Sequence, residues 1–163
     1  MSDTVGRPGR GKSLGSEMEW TAKVVADHAS WCHLVEIPDV KDVDLEYQVS
    51  PIRDNLGMAR RVGYPRIDAV LRHDDGSVSL LEAKLETSPQ AIMGAVGQLL
   101  YYRTVLRRTE KATIAHLVLA APLIPPLVGA MLEECLIPIR LLMVRETEYE
   151  GLVPRFGVDA VKQ

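Results

Sequence analysis

The residues best placed to do chemistry are Glu82 and Lys84, two positions apart in Ser77-Val78-Ser79-Leu80-Leu81-Glu82-Ala83-Lys84-Leu85-Glu86. Strand alternation sends Val78, Leu80, Glu82, Lys84 and Glu86 to one side and Leu81, Ala83 and Leu85 to the other. A carboxylate and an ammonium therefore leave the same side of an otherwise apolar strand, where isolated charges are costly. Upstream, Arg66 to Arg72 is a second β-rich run, and His73-Asp74-Asp75-Gly76 between the two reads as the turn of a hairpin. If Asp74-Asp75-Gly76 is the loop, with Gly76 in the left-handed conformation of a G1 bulge, Asp68 lies directly across from Glu82. A shorter Asp75-Gly76 turn shifts the register by one and sends Asp68 to the opposite side.

Opposed carboxylates, with Cβ atoms roughly 5 Å apart, repel unless a cation lies between them. Magnesium takes oxygen ligands and is commonly held by one or two carboxylates with waters and a substrate phosphate. Asp68 and Glu82 are thus expected to bind Mg²⁺, with the backbone carbonyl of Ala83 as a third protein ligand. Lys84, on the same side, is expected to orient or help deprotonate a metal-bound water and to neutralise charge during attack on a phosphodiester. The bland alternative is a salt-bridge cluster on an exposed sheet face.

Further along, Gln98-Leu99-Leu100-Tyr101-Tyr102 places Gln98 and Tyr102 four apart, on one helix face. Arg66-Ile67-Asp68, Glu82-Ala83-Lys84 and this segment, in that order, resemble the PD-(D/E)xK nuclease superfamily. The last element is similar to the QxxxY motif of RecB-type exonucleases and archaeal-type mismatch endonucleases. The resemblance covers mainly Leu45 to Arg108, and it departs from the pattern at Ile67, where the motif has proline. It implies a restriction-endonuclease-like core and Mg²⁺- or Mn²⁺-dependent phosphodiester hydrolysis leaving a 5′-phosphate. DNA is the implied partner, with endonuclease action favoured, and a homodimer or higher homo-oligomer as the working state. It also implies an acidic residue on the first helix that reaches the metals, for which Glu17 is the candidate. The expected catalytic set is Asp68, Glu82, Lys84, Gln98 and Tyr102. The bland reading of Gln98 and Tyr102 is an amphipathic helix with a surface glutamine and a half-buried tyrosine.

The elements that must position these groups follow from periodicity and breakers. Ser16 is read as the cap of a helix from Glu17 to His33, with Trp20, Val24, His28 and Trp31 on one stripe. Leu45 to Ile52 is a first strand, followed by a loop around Asn55-Leu56-Gly57. After the hairpin, Ser88-Pro89 starts a helix that runs to about Arg108. Thr113 to Ala121 is a buried strand, Pro126 to Cys135 a helix and Ile139 to Val144 a last strand. The order α-β-β-β-α-β-α-β predicts an α/β (α+β) fold, a mixed β-sheet flanked by helices.

With 163 residues, 47% hydrophobic and 25% charged, the chain has the size and balance of one globular domain. Residues 1–16 read as a flexible basic tail and 17–163 as a single nuclease domain. No signal peptide or membrane anchor is expected, and the location is expected to be cytoplasmic. The net charge of −3 argues against a protein that coats nucleic acid, yet arginines are grouped: Arg53, Arg60, Arg61 and Arg66 before the motif, Arg103, Arg107 and Arg108 after it. Arg66 and Arg103 are the substrate-binding candidates, the alternative for each group being a solvated face. Cys32 and Cys135 read as reduced packing residues, and the four histidines, which lack ligand spacing, as structural or surface residues. Two other functions stand beside the nuclease: a non-catalytic nucleic-acid-binding or assembly module, and an enzyme of this fold acting on RNA or a small nucleotide.

Overall fold

The computed structural model describes residues 14–49, 66–146 and 148–156. The chain runs α1 (Leu14–Ala26), α2 (His28–Trp31), a 3-10 turn (Cys32–Val35), β1 (Asp42–Gln48), β2 (Arg66–Arg72), β3 (Val78–Ala83), α3 (Pro89–Thr109), β4 (Ile114–Ala121), α4 (Pro126–Glu134), β5 (Ile139–Arg145) and β6 (Glu148–Leu152). The strands form one six-stranded sheet in the order β1-β2-β3-β4-β5-β6. β1, β2 and β3 are antiparallel to one another, β3, β4 and β5 run parallel, and β6 returns antiparallel. The sheet is therefore mixed, and its faces are covered by helices, as the periodicity predicts.

Two cores fill the two faces. Ile92, Leu99, Tyr102 and Leu106 of α3 and Leu132 of α4 pack on Leu80, Leu117, Leu119, Ile139 and Leu141. Val24, Val25, Trp31, Cys32 and Val35 pack on Leu71, Leu81, Ala83, Val118, Leu142 and Val144 of the other face. Adjacent residues of β3 thus enter different cores, Leu80 one and Leu81 the other, as alternation requires. All six residues of β3 are buried, the signature of a central strand covered on both sides. No exposed sheet face is available for a surface salt-bridge cluster at Glu82.

Several boundaries differ from the sequence reading. The first helix starts at Leu14, so Ser16 lies inside its first turn rather than capping it, and Glu17 remains in that turn, where a carboxylate suits the dipole. The helix does not continue to His33. It breaks after Ala26, and the indole of Trp31 donates to the Val24 carbonyl at 2.7 Å across the break. The first strand starts at Asp42 rather than Leu45. The expected loop at Asn55-Leu56-Gly57 and the arginines 53, 60 and 61 lie outside the described residues. β6 escapes the sequence reading because its glutamates break the apolar pattern; its exposed and half-exposed residues alternate, as suits an edge strand. Gly151 in β6 is needed for space: a Cβ there would lie 2.2 Å from the Leu34 carbonyl oxygen. Cys32 is buried, with burial pushing its thiol up to about 11, but Cys135 is exposed at the end of α4 rather than packed. Among the described residues, no helix is long and apolar enough to cross a membrane.

The hairpin has the longer of the two turns. His73 N–H donates to Ser77 O at 3.0 Å, Gly76 takes φ +83°, and the Asp75 carboxylate accepts from the Ser77 amide and hydroxyl at 2.9 and 2.6 Å. A side chain at Gly76 would meet no neighbour within 4 Å, so the constraint is conformational. Gly76→Ala is expected to destabilise the fold by about 1 kcal/mol and Gly76→Asn by less, read from urea midpoints. An unchanged midpoint in the alanine variant would remove the left-handed turn as the source of the register.

On the Trp31 side of the sheet, burial and the neighbouring Arg140 and His73 push His116 down to about 4. The unfolded chain takes up a proton on this ring near pH 6.5, which the folded chain resists until about pH 4. Its contribution to stability is therefore intact above pH 6.5 and is lost as pH falls toward 4. Wild type should lose more stability between pH 7.5 and 5 than His116→Asn, measured by denaturant titration; equal losses would contradict the assignment.

Candidate functional site

The register of β2 against β3 decides whether the acids meet. Ala69 pairs with Leu81, Val70 with Leu80, Leu71 with Ser79 and Arg72 with Val78. The same register carried one step further brings Asp68 to Glu82, and the Asp68 carboxylate accepts from the Ala83 amide at 2.8 Å. Glu82 sits at 2% exposure beside the parallel strand β4, where it pairs with Leu119. The Lys84 ammonium reaches Glu82 Oε1 at 2.8 Å. Just past β3, the Lys84 amide donates to the Ala120 carbonyl at 2.9 Å, which holds the lysine backbone against β4. The group lies at the carboxyl end of β3, the end at which open α/β sheets place their ligands.

Two helices close on this end. Glu17 of α1 accepts from the Leu85 amide at 3.0 Å. Ser88 caps α3 by accepting from the Ala91 amide, with Pro89 in the first turn. The Gln98 side-chain amide donates to the Tyr102 hydroxyl at 3.3 Å. Gly94 and Gly97 are not packing glycines, since a Cβ at either would meet nothing within 4 Å. The structure thus brings Asp68, Glu82, Ala83, Lys84 and Glu17 together, with the Gln98–Tyr102 pair facing them from α3.

Electrostatics bind these groups into one unit. Burial first, then the charge of Asp68, pushes Glu82 up to about 7, against the opposing pull of Lys84. Burial also raises Asp68, offset in part by the Ala83 amide and Lys84 and reinforced by Glu17 and Glu46. Burial pulls the Lys84 ammonium down, but Glu82, Asp68 and Glu17 outweigh it and leave it raised. Burial and the Glu82 and Asp68 charges raise Tyr102, which places its hydroxyl in the field of the acids.

Glu46 is a member that sequence reasoning missed. β1 pairs Leu45 with Ala69 and Tyr47 with Ile67, so Glu46 faces Asp68 in register, with a left-handed φ of +49°. With Glu17, Asp68 and Arg66 it lines a cleft of about 530 Å³ between α1 and the β1–β2 edge. The long connection between β1 and β2 imposes no register, so nothing in the local sequence points to this acid. Arg66 is exposed and paired with Glu46 at 3.7 Å. Arg103 is elsewhere: it lines a small pocket at the amino-terminal end of β4, whereas Glu82 lies toward the carboxyl end of the parallel strand β3.

The donor set suits a hard divalent cation. Among the described residues no group of three His, Cys, Asp or Glu side chains converges on one point. Glu82 Oε2, however, is buried without a hydrogen-bond partner among those residues, next to the Asp68 charge. A cation at this oxygen removes both the desolvation cost and the repulsion. His73 and His116 are engaged elsewhere: His73 bonds Ser79 and the Asp39 carbonyl, and His116 faces Arg140.

Solved structures similar to this chain include three endonuclease structures. A repair endonuclease from Pyrococcus abyssi is 18% identical, with a TM-score of 0.49, over 85% of this chain and 50% of its own. The structure of an EndoMS–double-stranded DNA complex is 19% identical, with a TM-score of 0.45, over 84% of this chain and 49% of that one. The small subunit of the heterodimeric restriction endonuclease R.BspD6I is 9% identical, with a TM-score of 0.38, over 80% and 72%. This chain spans about half the length of the first two. No family model matches it, and no curated protein does.

The Glu82–Lys84 pair has a measurable energetic consequence. Removing Lys84 alone leaves a buried carboxylate beside Asp68, whereas removing both charges does not. Without divalent metal, Lys84→Met is expected to cost about 2 kcal/mol, less than the ~3–5 kcal/mol of a fully buried pair because Glu82 can take up a proton. Glu82→Gln combined with Lys84→Met should recover most of that loss. Additive losses in the double-mutant cycle would show the two side chains to be uncoupled.

Proposed function

We propose that this chain is a divalent-metal-dependent nuclease of the PD-(D/E)xK type, with a restriction-endonuclease-like fold, that hydrolyses DNA phosphodiester bonds as an endonuclease. The observation that carries the reading is the buried, unpartnered Glu82 oxygen, opposed by Asp68 and flanked by Lys84. Asp68 and Glu82 would hold Mg²⁺ or Mn²⁺, with the Ala83 carbonyl and Glu17 as further oxygen donors. The metal, when bound, supplies charge neutralisation at the phosphate and a more acidic water.

The chain's own residues do the rest. The Ala83 amide fixes one oxygen of Asp68, leaving its other oxygen for the cation. Lys84, held charged by its acidic neighbours, offsets negative charge as water oxygen bonds to phosphorus and the bond to the leaving oxygen breaks. Tyr102, in the field of the acids and bonded to Gln98, is placed to position the water or a phosphate oxygen. Arg66, at the cleft rim, would contact the phosphate backbone. One such centre cuts one strand, so cleavage of a duplex calls for two copies. The exposed leucines of and around α4 and β6, Leu123, Leu127, Leu136 and Leu152, would supply a homodimer interface.

Plasmid and linear DNA incubated with Mg²⁺, Mn²⁺ or EDTA provide the test. Metal-dependent nicking is expected in the wild type, with a loss of at least ~100-fold in Asp68→Asn and in Lys84→Ala. A metal-induced rise in thermal midpoint should accompany it and vanish in Asp68→Asn. No cleavage of DNA or RNA, together with calorimetry showing no divalent binding that depends on Asp68 and Glu82, would overturn the reading.

A further inference from the structure

We propose that the small cationic pocket at the amino-terminal ends of β4 and β5 binds a phosphate group, at a site separate from the Asp68–Glu82 centre. Arg103 and Arg107 reach it from the last two turns of α3, His116 from β4 and Arg140 from β5. Arg103 and Arg107 are four apart and share a helix face. Arg140 is brought beside His116 by the parallel register, in which it pairs with Val118. Arg103 and Arg107 come from the α3 side of the sheet and His116 and Arg140 from the Trp31 side, and all four line the one cavity.

The cavity is about 110 Å³, small beside the ~300–1,000 Å³ of sites that enclose a drug-sized ligand. A tetrahedral oxyanion suits that size and a whole nucleotide does not. Among the described residues, no carboxylate lines it. The acid whose charge Arg140 feels is Glu36, and both Glu36 oxygens are engaged by Arg155. Arg140 Nε is buried without a hydrogen-bond partner among the described residues, a costly state that an anion relieves. Burial lowers Arg103, helped by Arg107, and burial lowers Arg140, helped by Arg155 and opposed by Glu36.

His116 is held neutral beside Arg140, so its Nδ1 accepts from the guanidinium and its proton rests on Nε2. Arginine at the end of a helix also suits the helix dipole, which accounts for Arg107. It does not account for Arg140, which stands on a strand, or for Arg103 one turn earlier. The negative end of α3 opposes an anion with a fraction of a charge, against three full positive charges. Planar guanidinium forks match phosphate oxygens in pairs.

Free phosphate and a nucleic-acid backbone present the same chemistry. The test uses the full chain in EDTA, so its outcome does not depend on whether the acidic centre cleaves. Inorganic phosphate, and separately a short DNA duplex, are titrated at constant chloride while the His116 ring is followed by NMR. A saturable shift of that ring with at least one probe, lost in Arg103→Gln and Arg140→Gln and reduced in the more exposed Arg107→Gln, is expected. If the source is the backbone, the slope of log K against log[salt] for the duplex falls by about one for each arginine removed. If it is free phosphate, duplex affinity is unchanged while the phosphate shift disappears. No movement of the His116 ring with either probe, or a movement that survives the substitutions in folded protein, overturns the proposal.

Discussion

The structure depends on a charge placed where charges are expensive. Glu82 lies near the carboxyl end of a strand covered on both faces, at 2% exposure, with one oxygen on Lys84 and the other without a hydrogen-bond partner among the described residues. A carboxylate in that position costs stability unless it is paired, protonated or bound to a cation. Its rise to about 7 is the response of an acid crowded by burial and by Asp68. The rest of the chain around it holds the two acids at close range.

That holding is done by backbone geometry more than by side-chain contacts. The left-handed Gly76 and the Asp75–Ser77 bonds set the length of the turn, the turn sets the register, and the register sets Asp68 against Glu82. The Ala83 amide then fixes Asp68, and the Leu85 amide fixes Glu17. Each acid is thus oriented by a peptide N–H of the segment that carries Glu82 and Lys84. The crossover from β3 to β4 starts at a capped helix, so α3 returns over the same end of the sheet with Gln98 and Tyr102 on the inward side.

The net charge of −3 conceals an uneven distribution. Glu17, Glu46, Asp68 and Glu82 gather at one end of the sheet, while Arg103, Arg107 and Arg140 gather at the start of β4 and β5. Glu82 lies at the carboxyl end of β3 and Arg140 at the amino end of β5, and β3, β4 and β5 run parallel, so the two groups lie toward opposite ends of these strands. A polyanion meeting this surface would find attraction at the arginines and would need cations to approach the acids.

Local chemistry is what the sequence by itself determined. Alternation in an apolar run exposes Glu82 and Lys84 as misplaced charges, Asp-Asp-Gly names its turn, and Ser88-Pro89 starts its helix, because each depends on residues within a few positions of one another. The register of Asp68 against Glu82 was legible for the same reason, a short turn leaving few alternatives. Only the tertiary structure decided that Glu46 faces Asp68 and that Glu17 reaches the Leu85 amide. It alone decided too that Arg103 lines a pocket with Arg140, away from the acids. These contacts join elements separated by long connections, and across such distances the pairing is set by how sheet and helices pack, which no short stretch of residues encodes.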